Sequence, residues 1–175
     1  MKNHVNELIE KLTGSSVQRE KPLGGGCVGE VYKITLSNSK TLVAKVGDDG
    51  SGLAIEGMML GYLTQNSEIP VPDVLYADDN LLLMTWVPSE GTLDKSAQIN
   101  AADLVASLHQ ISNSHFGFSC DTVIGGLKQT NTQTKSWLDF FAKHRILNMA
   151  LQGLEAGHLP KGIMARIEKC SQNLD

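Results

Sequence analysis

Three features of this sequence could together hold a phosphate-bearing ligand. The first is a glycine-rich run, Gly24-Gly25-Gly26-Cys27-Val28-Gly29, followed by Val31. Lacking Cβ atoms, such a loop lets its backbone N–H groups come close to phosphate oxygens. The second is Lys45 in Leu42-Val43-Ala44-Lys45-Val46, where strand alternation sets Val43 and Lys45 on one face. The third is Glu56, which falls between Leu53 and Leu60 in an apolar helical stripe. A carboxylate on an inward face needs a cation, and Lys45 is the obvious one. Each feature has a plain alternative: a flexible hairpin turn, a solvated strand lysine, a glutamate at the edge of its stripe. Their order along the chain favours a joint site. A dinucleotide fingerprint would need a helix after the glycines, where a strand is predicted, and a Walker loop would need Gly-Lys-Ser/Thr.

The elements that would position these residues follow from periodicity. Val5, Leu8, Ile9 and Leu12 recur at helical spacing, and residues 13–16 stop that helix. Residues 31–36 and 41–46 read as strands around a turn at 37–40. Leu53, Leu60 and Leu63 mark a helix, and Ile69-Pro70-Val71-Pro72 must be extended. Residues 74–76 and 81–87 read as a hairpin ending at Pro88. From residue 91 onward the pattern is helical, with stripes Ala101/Leu104/Val105/Leu108, Trp137/Phe140/Phe141/His144/Leu147 and Ile163/Ile167/Cys170. The predicted architecture is α+β: a small antiparallel sheet with one packed helix over 1–86, a connector at 87–91, then helices over 92–175.

Hydrophobic residues at 41% and charged residues at 19% suit a globular core. The formal net charge of -4 argues against a nucleic-acid partner, which would ask for a basic patch. Cys27, Cys120 and Cys170 are too few and too scattered for a disulfide framework or a zinc site. The N-terminus has no signal-peptide pattern and no apolar run is long enough to span a membrane, so a cytoplasmic protein without a membrane partner is expected.

Gly24-x-Gly26-x-x-Gly29-x-Val31 fits the glycine-loop pattern of protein kinases. With Val43-Ala44-Lys45-Val46, Glu56 and Leu83-Met84-Thr85-Trp86-Val87-Pro88, it resembles the N-terminal lobe of fructosamine kinases (ketosamine 3-kinases), relatives of the aminoglycoside phosphotransferases within the protein-kinase-like superfamily. Leu104 to His109, Phe116-Gly117-Phe118, Asp121 to Gly125, Gln129-Thr130-Asn131 and Trp137 to Arg145 are similar to that family's own signature. The resemblance implies a kinase-like fold and an ATP site built from Gly24, Gly25, Gly26, Cys27, Val28, Gly29, Val31, Val43, Lys45, Glu56, Met84, Thr85, Trp86 and Val87. Residues 1–86 would be the nucleotide lobe, 87–91 the hinge and 92–175 the start of the second lobe. Val31 and Val43 would press on the adenine, Lys45 would reach the phosphates, and the Thr85 carbonyl and Val87 N–H would meet the base edge.

The implied reaction uses ATP and Mg²⁺ to phosphorylate the sugar 3-hydroxyl of a ketoamine, free or on a glycated protein, which destabilises the adduct. The family's catalytic loop carries His-Gly-Asp, yet His4, His109, His115, His144 and His158 are never followed two positions later by Asp. The expectation is therefore an incomplete chain without catalytic Asp or metal ligands, inactive alone and prone to self-association through apolar helix faces. The alternatives are a non-catalytic nucleotide-binding module and another small-molecule kinase of the same superfamily. Cys27 reads either as a redox-sensitive thiol or as a small loop residue. His144 and Trp137 read as core residues rather than as a catalytic histidine and a sugar-stacking platform, and Arg145 as one that could touch a substrate or carboxylates.

Overall fold

Residues 3–24 and 29–174 are described by the computed structural model. The chain divides into two compact units, Met1–Ser112 and Asn113–Asp175. The first unit opens with helix α1 (Asn3–Thr13), whose predicted stripe buries Val5 and Ile9. Strands β1 (Val17–Leu23), β2 (Glu30–Leu36) and β3 (Thr41–Val46) follow, then helix α2 (Leu53–Asn66) and strands β4 (Val74–Ala77) and β5 (Leu81–Thr85). They form one sheet in the order β1-β2-β3-β5-β4, every neighbouring pair antiparallel.

Alternation divides the sheet into two faces. Ile34, Leu36, Leu42, Ala44, Leu81 and Leu83 point to one face and bury against Val5 and Ile9. Their neighbours in sequence, Val43, Lys45 and Leu82 among them, point to the other. There α2 lies against β4 and β5, its Gly57 so close that a Cβ would collide with Ala77. The sheet thus carries a helix on each face, and α2 leaves β1, β2 and most of β3 open on its side. Sequence periodicity did not reveal β1. Its segment Val17-Gln18-Arg19-Glu20-Lys21-Pro22-Leu23 buries no residue fully, because it is an edge strand. Edges tolerate charge and proline that inner strands exclude. The predicted strand to residue 87 stops at Thr85, whose pairing with Leu42 is the last between β5 and β3.

Helix α3 (Lys95–His109) starts on Asp94, whose carboxylate accepts the Ala97 N–H at 2.8 Å. It buries none of its side chains, and Val105 of the predicted stripe is 46% exposed.

The second unit is held differently. Strands β6 (Thr122–Ile124) and β7 (Leu127–Gln129) make a hairpin turning through Gly125 at φ +57° and Gly126. Helix α4 (Trp137–Phe140) starts on Ser136 and runs through a π-helical turn, Phe141–Leu147, into α5 (Asn148–Glu155). A 3₁₀ turn (Lys161–Ile163) leads into α6 (Met164–Ser171). The uniformly helical reading after residue 91 overlooked the hairpin, although Gly-Gly between Val123-Ile124 and Leu127 suits a two-residue turn.

Candidate functional site

The central geometry is an ion pair. Lys45 Nζ donates to Glu56 Oε2 at 2.6 Å, with the two side chains 15% and 35% exposed. Lys45 stands on the sheet face that α2 partly covers. Glu56 lies in the first turn of α2, where the helix N-terminus favours a carboxylate. The pair is short, charge-assisted and partly shielded, which fixes the ammonium rather than leaving it to sweep through solvent.

Val31 sits directly across from Lys45 in the β2–β3 register, and Val43 lies between Lys33 and Met84. Val31, Val43, Lys45 and Met84 therefore occupy adjoining positions on one face, all half-buried. Leu23, in the edge strand that the sequence concealed, stands opposite Val31 and extends this apolar strip. Its signal was its place immediately before Gly24. Gly24 is exposed at the end of β1, whereas Gly29 adopts φ +73° and a Cβ there would strike the Val46 carbonyl. Glycine is thus required at position 29 for both conformation and space. Gly25, Gly26, Cys27 and Val28 lie outside the described residues.

At the end of β5 the Thr85 N–H donates to the Asp73 carbonyl at 3.0 Å, and its hydroxyl accepts the Asp73 N–H at 2.9 Å. These two bonds fasten the strand end against the Pro72 segment. Trp86 follows, half-buried, with the Lys33 ammonium 3.8 Å from its ring centroid. Val87 is 54% exposed.

The second unit gathers residues singled out in the sequence into a hydrogen-bond network. Asn131, 4% exposed, donates through Nδ2 to the Cys120 carbonyl and to Thr122 Oγ1, both at 2.9 Å. Arg145 donates to Asn131 Oδ1 at 2.6 Å and to the Thr130 carbonyl at 2.8 Å, over the Phe140 ring. Burial pulls the pKa of Arg145 downward. The Asn131 N–H donates to Asp121 at 2.9 Å and, with help from Lys128, holds that carboxyl below its usual pKa. His144 shares a 2.9 Å hydrogen bond with Thr130, as suits a satisfied histidine. Arg145 is thus occupied by its own chain. Trp137, expected in the core, is 49% exposed and stacks on Phe141 at 5.0 Å.

Residues 1–174 match the sequence model of fructosamine kinase. The chain belongs to the fructosamine kinase family. A relative, the probable ketoamine kinase slr1563 of Synechocystis, is 28% identical over 166 residues, covering 89% of this chain and 56% of that protein. The crystal structure of a putative fructosamine-3-kinase from Thermobifida fusca aligns with a TM-score of 0.81 at 27% identity, covering 98% of this chain and 61% of that one. The gentamicin–APH(2")-IIa complex aligns at a TM-score of 0.59 and 16% identity, a likeness of fold alone. The fold is thus kinase-like, and this fructosamine kinase chain spans between 40% and 61% of the length of the relatives it matches. Among the described residues no helix is long and apolar enough to cross a membrane.

Proposed function

We propose that these residues hold ATP for transfer of its terminal phosphoryl group to the sugar 3-hydroxyl of a ketoamine, free or on a glycated protein, in the cytoplasm. The observation that carries this reading is the Lys45–Glu56 pair at 2.6 Å on the face that also presents Val31 and Val43. On this reading Glu56 holds the ammonium in place and Lys45 meets the phosphates. Val31 and Val43 form an apolar wall for the base, with Leu23 beside them. Met84, Thr85, Trp86 and Val87 are the connector, and the Thr85 carbonyl and Val87 N–H take the base edge. Gly24 to Gly29 close over the phosphates with their backbone N–H groups.

Mg²⁺ would arrive with the nucleotide and offset phosphate charge. Among the described residues no three His, Cys, Asp or Glu side chains converge as a metal set. Apart from Glu56, which is tied to Lys45, the residues read here as the nucleotide site carry no carboxylate, so phosphate oxygens would supply most of the ion's ligands. Since no histidine here is followed two positions later by Asp, we expect these 175 residues alone to bind nucleotide without turning it over. That same fact favours a second reading, a nucleotide-binding module without catalysis, in which no ketoamine is consumed under any condition.

Calorimetric titration with ATP tests the site. Wild-type protein should bind, and Lys45→Met should weaken binding about tenfold or more in a variant that circular dichroism shows to be folded. Equal affinity in the two proteins would remove Lys45 from the site and end this reading.

A further inference from the structure

Next to the candidate nucleotide site, and sharing Leu23 and Trp86 with it, the same sheet face carries three cations that the proposed reaction does not use. Arg19 and Lys21 of β1 and Lys33 of β2 all point to that face, because Arg19 pairs with Thr35 and Lys21 with Lys33 in the β1–β2 register. With Leu23, Thr35, Thr41 and Trp86 they line a concavity of about 520 Å³. Charge is sorted by strand alternation: Glu20, between Arg19 and Lys21, points to the opposite face. Among the described residues none of the three cations is in an ion pair. Three uncompensated cations on one open face stand out in a chain with 15 basic and 19 acidic residues.

The shape of this feature selects among anions. The backbone N–H groups of inner strand β2 are directed into its ladders with β1 and β3, so no nest of free donors converges on a single small anion. The cations instead stand apart on two strands, on long side chains, at an open rim. An extended acidic segment could meet them one after another, each contact weak alone and the set adding up. Trp86, capped by the Lys33 ammonium at 3.8 Å, supplies a flat aromatic anchor beside them. Three cations in an acidic chain are too few to favour a nucleic acid, whose binding scales with phosphates neutralised.

We propose that this β1–β2–β3 face docks an acidic stretch of a protein partner, with Arg19, Lys21 and Lys33 meeting its carboxylates and Trp86 covering its apolar atoms. The three cations lie outside the residues read as the nucleotide site, so their part in the inference stands or falls separately from that reading, although Trp86 borders both.

The 175-residue protein is titrated by fluorescence anisotropy with a labelled polyglutamate peptide about eight residues long, which spans the face when extended. Binding should weaken as salt rises. The triple variant Arg19→Gln, Lys21→Gln, Lys33→Gln should raise Kd about tenfold or more. A control triple, Lys11→Gln, Lys40→Gln, Lys95→Gln, removes the same charge elsewhere and should leave Kd within about twofold. Circular dichroism checks the fold of each. If the first triple fails to fold, the exposed singles Arg19→Gln and Lys21→Gln replace it, each expected to weaken binding about two- to threefold. Absence of binding, or equal losses in the two triples, would overturn the proposal. So would displacement of the peptide by inorganic phosphate or an oligothymidylate as effective as that by unlabelled polyglutamate.

Discussion

In the first unit Ile9, Ile34, Leu36, Leu53, Leu81, Leu82 and Leu83 are each less than 2% exposed, and all are aliphatic. In the second, the buried residues among those described are Phe140, Ala150, Thr122 and Asn131, two of them polar. Apolar burial has no direction and is spread over many contacts, so the first unit can bury one sheet face and leave part of the other open for a ligand. Hydrogen bonds do have direction, so the second unit concentrates its order in a few groups around Asn131 that must each be satisfied.

That contrast can be broken by substitution, and the largest effect belongs to the dry core. Leu83→Ala removes a side chain that is 0% exposed between α1 and the sheet. It should cost about 3 kcal/mol, the transfer term plus the cavity left behind, read as a fall in the urea midpoint. A loss below about 1 kcal/mol would mean that the site collapses freely and the core is not packed as described. In the second unit Asn131→Ala leaves the Cys120 carbonyl and one Arg145 donor without their partner and the Thr122 hydroxyl with Gln129 alone. About 2 kcal/mol is expected, since buried groups left without a partner pay their full desolvation penalty. If Asn131→Ala proves neutral, water replaces the side chain and the second unit is not stapled by it.

Gly57→Ala joins stability to the candidate site. The added methyl meets Ala77 and lies 3.2 Å from Leu82 Cδ1, so α2 must shift away from β4 and β5. A cost of about 1–2 kcal/mol is expected from overpacking. Glu56 is the preceding residue, so the Lys45 contact should loosen and ATP affinity fall in the same variant. Stability lost with ATP affinity unchanged would show that the pair adjusts independently of the helix.

The sequence made these regions unequally legible, for the same physical reason. Where one face of an element is dry, period speaks: Val5 and Ile9 declared α1, and Val43 with Lys45 declared one face of β3. The Lys45–Glu56 contact was readable because a carboxylate in an apolar stripe asks for a cation. β1 was hidden because an edge strand buries too little to alternate, and with it went Leu23 and the cations of the open face. In the second unit the β6–β7 hairpin was lost inside a helical reading, although its Gly-Gly turn was present. Trp137 misled because an aromatic at helical spacing looks like core, yet its ring rests on Phe141 and remains half in solvent. A network such as Asn131 with Arg145 leaves no periodic trace, because its partners come from Cys120, Thr122 and Thr130 at no fixed spacing.

The smallest effect concerns acid, and it separates the units once more. In the first, burial pushes the pKa of Asp78 upward, but hydrogen bonds from the Tyr76 hydroxyl and the Leu81 and Asn80 N–H groups outweigh it and leave it lowered. In the second, Asp121 is lowered chiefly by the Asn131 N–H, and further by Lys128 at 3.5 Å. A carboxyl whose folded pKa lies below its unfolded value stabilises the fold above the unfolded pKa of about 4 and loses that contribution as pH falls through the folded value. Asp121→Asn removes the titrating group but keeps an acceptor for Asn131. Its urea midpoint should therefore start slightly below wild type near neutral pH and fall less steeply between about pH 5 and about pH 2.5. Because Asp78 remains in both proteins, a steeper fall, or curves parallel throughout, would place the acid sensitivity in the first unit and leave the Asn131 staple indifferent to the charge beside it.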